Sequence, residues 1–269
     1  QMAIAGECFT MTARIRRMAR LLVVLLPLLF CSCQSPLIQR LTKARAAPVS
    51  PFLDKDKEMR PQRNRLPVHC AWQNLDKETQ AEVERRKALF IAPVTLEHLK
   101  PASERLARWE MKKGLAGKRE EMAEELRERF KLAFVESPEP KYQIVDKPGR
   151  DTLTLELAIT QLRPTSVAGN VVRVGSIFFI GPLSILLSPF PKGNIAIEGK
   201  LSLSDTKTTV MQFADNERDK LTLYTARDFR PYGHALQAMD EWARQFEEYT
   251  RTHRHHKVKE SSFITLKPW

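Results

Sequence analysis

The stretch DTLTLELAITQL (151–162) alternates apolar Leu153, Leu155, Leu157 and Ile159 with polar Thr152, Thr154, Glu156 and Thr160. A period of two places successive side chains on opposite faces of an extended strand, one face buried and one polar. NIAIEGKLSLS (194–204) repeats the pattern with Ile195, Ile197, Leu201 and Leu203. Asp205 to Thr208 then reads as a hairpin turn, after which TTVMQFAD (208–215) returns. These three segments predict an antiparallel meander.

Outward from the meander, ALFIAPVTL (88–96) reads as a buried strand and TyrGlnIleVal (142–145) as a short one, with a turn around ProGly before residue 151. A helix is expected over 101–113, with Leu106 and Trp109 on one face, and a stronger one over 118–135. In the latter Met122, Leu126, Phe130 and Ala133 form one apolar stripe, and Ser137-Pro138 stops it. A last helix, 232–250, lines up Leu236, Met239, Trp242, Ala243 and Phe246 opposite Glu241, Arg244, Glu247 and Glu248. The expected fold class is α+β, with an antiparallel or mixed sheet of about 4–5 strands and two to three helices mainly on one face.

The first 35 residues read differently. LLVVLLPLLF (21–30) is preceded by Arg14, Arg16, Arg17 and Arg20 and followed by Cys31-Ser32-Cys33-Gln34-Ser35. Basic residues, a short apolar run and a small residue make a secretory signal peptide over 1–32, too short for the ~20 residues of a membrane helix. Residues 1–10 lack basic character, so the start is expected at Met11. Ser32-Cys33 resembles a bacterial lipobox, with Phe30 and Cys31 departing from its usual Leu and small residue. That resemblance implies acylation of Cys33, and Gln34 beside it implies sorting to the outer membrane. An ordinary cleaved signal with an incidental Cys, and an uncleaved anchor, are the alternatives.

The 269 residues carry a formal charge of +12. Loss of residues 1–32 leaves 40 basic against 31 acidic side chains, a balance of +9. The basic bias thus belongs to the mature chain and attracts anionic lipid or envelope polymer, while nucleic acid is not expected as a partner of an exported protein. Basic and acidic residues are interleaved, as in LysArgGluGlu (118–121), which reads as a solvated surface. Ten Gly and 17 Pro without a period exclude collagen and argue against a Gly-rich nucleotide-binding fold. Of the four Cys, only Cys70 would remain unmodified, so no internal disulfide is expected. Cys70 lies in LPVHCAW and reads as a small buried hydrophobe. A thiol paired with His69 is opposed by the opposite pointing of neighbours in an extended chain.

The expected organisation is a signal peptide (1–32), lipidated Cys33 with an extended tether (33–75), an α+β domain (76–250) and a basic tail (251–269). Within the tether, Phe52-Leu53 and Trp72 are expected to dock partially on the domain. The domain carries an apolar insertion over 167–193. Its centre, SIFFIGPLSILLSPF (176–190), has no charge and is broken by Pro182 and Pro189. It reads either as a loop covering the core or as an exposed loop touching membrane or a partner through Ile177, Phe178, Phe179, Ile180, Leu183, Ile185, Leu186, Leu187 and Phe190.

Catalytic signatures are scarce. No Gly-x-Ser-x-Gly elbow, phosphate-binding loop or Cys-x-x-Cys pair occurs. His253, His255 and His256 sit in a basic tail that repels cations, and His234 at the start of the last helix reads as a packed neutral imidazole. Asp205 and Asp215 read as turn residues, and Asp228 and Asp240 lack an evident carboxylate partner. No cofactor and no metal site are expected.

FIAPV (90–94), YQIVDKPGRDTLTLELAIT (142–160), the IEGKLSLSDTKTTVMQFAD hairpin (197–215) and YGHALQAMDEWARQF (232–246) together resemble a group of uncharacterised bacterial lipoproteins classed as a domain of unknown function, of the DUF3313 type. In layout the group is similar to periplasmic accessory lipoproteins that assist transport, polymer secretion or wall synthesis, and it supplies no catalytic residues. The expectation is a non-enzymatic outer-membrane lipoprotein facing the periplasm, holding membrane lipid through Cys33 and binding an envelope protein or anionic polymer. The competing expectations are an envelope hydrolase or metal-dependent enzyme using His234 or the 253–256 histidines, and a membrane-complex component inserting 176–190.

Overall fold

A computed structural model describes residues 48–61, 65–115, 117–164, 193–218, 221–222, 230–252, 256–259 and 264–265. In chain order the described elements are a 3-10 turn (Asp56–Glu58), β1 (Cys70–Gln73), α1 (Lys77–Arg85), β2 (Ala88–Ile91), α2 (Glu104–Lys112), α3 (Lys118–Val135), β3 (Gln143–Val145), β4 (Thr152–Arg163), β5 (Asn194–Leu203), β6 (Thr209–Arg218), β7 (Leu221–Thr222), α4 (Gly233–Arg251) and β8 (Ile264–Thr265).

Six strands form one mixed sheet in the order β1-β6-β5-β4-β2-β3, and β7 pairs with β8 apart from it. The meander is present: β4 pairs antiparallel with β5, and β5 with β6. Lys207, at φ 60, turns the β5–β6 hairpin, with Leu203 N–H donating to Thr208 O at 3.0 Å and Lys207 N–H to Leu203 O at 2.9 Å. β2 lies parallel to both β4 and β3, which makes the sheet mixed.

The strand expected over 88–96 is continuous only to Ile91. Pro93 has no N–H for the ladder, and the chain rejoins β4 at Thr95, whose N–H donates to Leu157 O at 3.0 Å. Two strand and helix counts also exceed expectation. The sheet has six strands rather than 4–5, and four helices are described rather than two to three. The additions are β1 (CysAlaTrpGln) and α1 (LysGluThrGlnAlaGluValGluArg). Neither carries a periodic apolar signal long enough to read. α1 is instead held by its cap, with Asp76 accepting from Thr79 N–H at 2.9 Å and Thr79 Oγ1 at 3.0 Å.

One face of the sheet carries the main core. Leu153, Leu155, Leu157 and Ile159 of β4 and Ile195, Ile197, Leu201 and Leu203 of β5 are buried there with Met122, Leu126, Phe130 and Phe134 of α3 and Met239, Trp242 and Phe246 of α4. Phe246 is the hub, with ring centroids 5.5 Å from Phe213, 5.9 Å from Phe130 and 6.4 Å from Phe134. The α3 stripe also includes buried Phe134, beside Ala133, which packs partly buried against the same core. Glu247, expected on the solvated side of α4, is buried. Ser137 Oγ (2.7 Å) and Arg251 Nε (3.0 Å) both donate to its carboxylate.

The second face carries a smaller, separate cluster of Leu53, Met59 and Ala214, against which Val49, Phe52, Cys70 and Trp72 pack. Residues 48–73, expected within an extended tether, therefore lie on the domain over most of their described length. The expected docking of Phe52-Leu53 and Trp72 is part of this wider contact. The physical reason is that Leu53, Met59, Leu66 and Val68 all find buried positions. The C-terminal tail is likewise tied down locally: Val258 is buried and its N–H donates to Arg65 O at 3.0 Å.

Candidate functional site

Within β6, Met211, Phe213 and Asp215 share one phase of the strand, so the alternation that buries Phe213 beneath α4 also buries Asp215. A carboxylate in that position needs hydrogen-bond donors. It has three: His69 N–H donates to Oδ1 at 3.1 Å, His69 Nδ1 lies 2.7 Å from the same oxygen, and Trp242 Nε1–H donates to Oδ2 at 2.6 Å. The cluster joins the residue before β1, strand β6 and helix α4. Asp215 is thus not a turn residue, as expected from sequence, because β6 runs on to Arg218. Its signal was an acid in the apolar phase of an alternating strand.

Cys70 belongs to the opposite face. It pairs with Ala214 across the β1–β6 ladder and packs against the Leu53–Met59–Ala214 cluster. His69 and Cys70 therefore do not form a nucleophile pair, in line with the alternation argument. Burial, and then the carboxylates of Asp215 and Glu198, push the Cys70 thiol up from its ordinary range, which disfavours the reactive thiolate. Between these groups lies a cavity of about 10 Å³ lined by His69, Cys70, Thr160, Ile197, Glu198, Ala214 and Asp215. That is room for about one water molecule.

Two further polar side chains are buried on the Cys70 face. Glu198 is 2% exposed and Gln212 fully buried. Glu198 accepts from Ser50 N–H at 2.7 Å and from Ser50 Oγ–H at 2.6 Å. Gln212 Oε1 accepts from Lys55 N–H at 3.0 Å, and its amide donates to Asp54. This last bond, ahead of any other cause, holds the Asp54 carboxyl below its usual range. At the edge of the face, Trp72 Nε1–H donates to Glu58 at 2.9 Å with Lys55 over its ring.

The sequence-derived candidates fall in different places. His234 is half-buried at the start of α4, and burial pushes it down to about 4, so it is neutral at ordinary pH. His256 is exposed and 2.7 Å from Glu248. Asp240 is ion-paired with Arg129 of α3, and Asp205 with Arg86 at 3.1 Å while its Oδ1 accepts from Thr206 N–H in the hairpin turn. These residues are not brought together. Among the described residues no group of three His, Cys, Asp or Glu stands close enough to hold a metal ion, and no helix is long and apolar enough to cross a membrane. Cys33, Asp228, His253, His255 and the apolar residues from Ile177 to Phe190 lie outside the described residues.

No curated protein matches the chain. Among solved structures, it is similar to the PelC dodecamer from Paraburkholderia phytofirmans, at 5% identity and a TM-score of 0.34, over 61% of this chain and 89% of that one. It is also similar to protein XCC0632 from Xanthomonas campestris, of family DUF330, at 15% identity and a TM-score of 0.32, over 61% of this chain and 86% of that one. Residues 51–246 match the family described as "Protein of unknown function (DUF3313)", spanning the sheet from the Leu53 cluster through the meander to Phe246, and the chain belongs to that family.

Proposed function

We propose that the chain is an outer-membrane lipoprotein of a Gram-negative envelope, anchored through acylated Cys33, with its α+β domain facing the periplasm. There it acts without catalysis, as a binding or accessory subunit of a transport, secretion or assembly complex. What supports the non-catalytic part is the state of the Asp215 cluster. Its His69–Asp215 pair borders a cavity of about 10 Å³, which admits about one water rather than a substrate. What supports the anchored part is sequence: Arg14 to Arg20, the apolar run 21–30 and Ser32-Cys33, followed by a basic mature chain suited to anionic surfaces.

With residues 48–61 on the domain, residues 34–47 are what separates them from Cys33 in the sequence. Their fully extended length is about 50 Å, so the domain works within about that distance of the bilayer. The test is replacement Cys33→Ser in cells. The wild-type chain should fractionate with membranes, carry an acylated N-terminal peptide by mass spectrometry, and accumulate as precursor under globomycin. The variant should lose all three properties. A wild-type mature chain with a bare N-terminus that ignores globomycin overturns the reading.

A further inference from the structure

The second face of the sheet is covered in part by residues 48–61, which form a strap of unusual chemistry. Its underside rests on polar groups. Ser50 grips the Glu198 carboxylate through both its N–H and its hydroxyl, and Lys55 and Asp54 grip the two ends of the Gln212 amide. Its apolar contacts, Leu53 and Met59 against Ala214, form a cluster separate from the main core. Its far end pairs with the edge of β1, where Arg60 N–H donates to Ala71 O and Ala71 N–H to Arg60 O, each at 2.9 Å.

A permanently closed face would be expected to bury apolar side chains. A buried carboxylate and a buried amide whose bonds are completed by one short segment can instead exchange that segment for water at small cost. Lifting the strap re-hydrates Glu198 and Gln212 and leaves the Phe246-centred core intact. Opening of this kind belongs to the low-stability end of local unfolding. The strap also stands immediately after residues 34–47, so any change in its docking changes the length of chain between Cys33 and the domain.

We propose that residues 48–61 are a releasable clasp, held shut by Ser50 on Glu198 and by Asp54 and Lys55 on Gln212, whose opening pays out tether. With the clasp shut, the extended limit from Cys33 is about 50 Å. With it open as far as Leu66, the first residue of the main core, the limit is about 110 Å. The clasp thereby sets two working distances from the membrane for one domain. This change in reach rests on the anchoring through Cys33 proposed above, whereas the clasp itself does not.

Cys70 lies partly buried against the strap cluster and reports its opening. Membranes carrying the full chain are treated with a maleimide, and modification of the Cys70 peptide is followed by mass spectrometry over time and in low urea. Ser50→Ala removes the hydroxyl bond to Glu198 without touching the core. It should speed labelling by about tenfold, with a urea dependence well below that of global unfolding. Glu198→Gln should speed it similarly. Ser103→Ala, at the cap of α2, should leave the rate unchanged. An unchanged rate in Ser50→Ala, equal acceleration by Ser103→Ala, or labelling that follows only global unfolding overturns the clasp. If Cys33 carries no acyl group while Ser50→Ala still speeds labelling, the clasp stands and the anchored reading falls, taking the two working distances with it.

Discussion

Gly199 of β5 stands opposite Phe213 of β6, on the face that α3 and α4 cover. A Cβ at this position would fall inside the van der Waals envelope of the Phe213 ring, which is itself stacked against Phe246. The glycine is required here by the close approach of an aromatic ring rather than by backbone freedom. Gly199→Ala should therefore cost about 1–3 kcal/mol in urea unfolding, the range for overpacking a filled core, and Phe213→Leu in the same chain should recover part of it. Asp215 offers a second test. Asp215→Ala strands the donors of His69 and Trp242 in a buried setting and should cost about 3–5 kcal/mol. Trp242→Phe keeps most of the ring burial, removes one donor, and should cost less. Equal costs for the two would mean that the tryptophan's packing, not the carboxylate, carries the cluster.

At the scale of elements, α3 and α4 hold the sheet through aromatic packing of Phe130, Phe134 and Phe246. Phe130→Ala should cost about 3–5 kcal/mol, whereas Leu132→Ala, on the exposed side of the same helix, should change stability by less than about 0.5 kcal/mol. Thermal or urea unfolding of the two variants checks both. This contrast also explains what was legible in the sequence. β4, β5 and β6 alternate because one face packs mainly on apolar side chains of α3 and α4, Asp215 excepted, and α3 and α4 carry apolar stripes for the same reason, so their type and nearly their boundaries could be read. β1 and α1 are four and nine residues long and depend on pairing with β6 and on the Asp76 cap, neither of which has a periodic signature. The candidate site was less legible than the fold. The sequence sets His69 beside Cys70, but its partner Asp215 is 146 positions away, and only the pairing of β1 with β6 brings them together. Likewise nothing in ProValSerProPhe (48–52) announces that Ser50 meets Glu198, since the contact spans 148 positions and depends on the side of the sheet that Glu198 faces.

For the whole molecule, the pH dependence of stability should show a buried base. His234 is half-buried in the first turn of α4 with its Nε2 shut away from solvent, and burial brings its value from 6.5 down to about 4. Between those two values the unfolded chain binds a proton that the folded chain does not, so stability is complete above about pH 6.5 and falls as the pH is lowered toward 4. The loss across that window amounts to about 3 kcal/mol. Asp54, Asp76 and Glu128, whose carboxyls are held below their usual range chiefly by hydrogen bonds from Gln212, Thr79 and Lys131, act in the next window. Their contributions are present above their unfolded values near 4 and disappear below them. The two effects therefore separate on the pH axis. His234→Leu replaces the imidazole with an apolar side chain that takes up no proton, and the difference in stability between this variant and the wild-type chain isolates the histidine from every other titrating group. Urea unfolding at pH 7 and at pH 4.5 should show the wild-type chain losing about 2–3 kcal/mol more than His234→Leu. Parallel losses in the two proteins would mean that the imidazole accepts its proton in the folded state, and that the start of α4 is open to solvent.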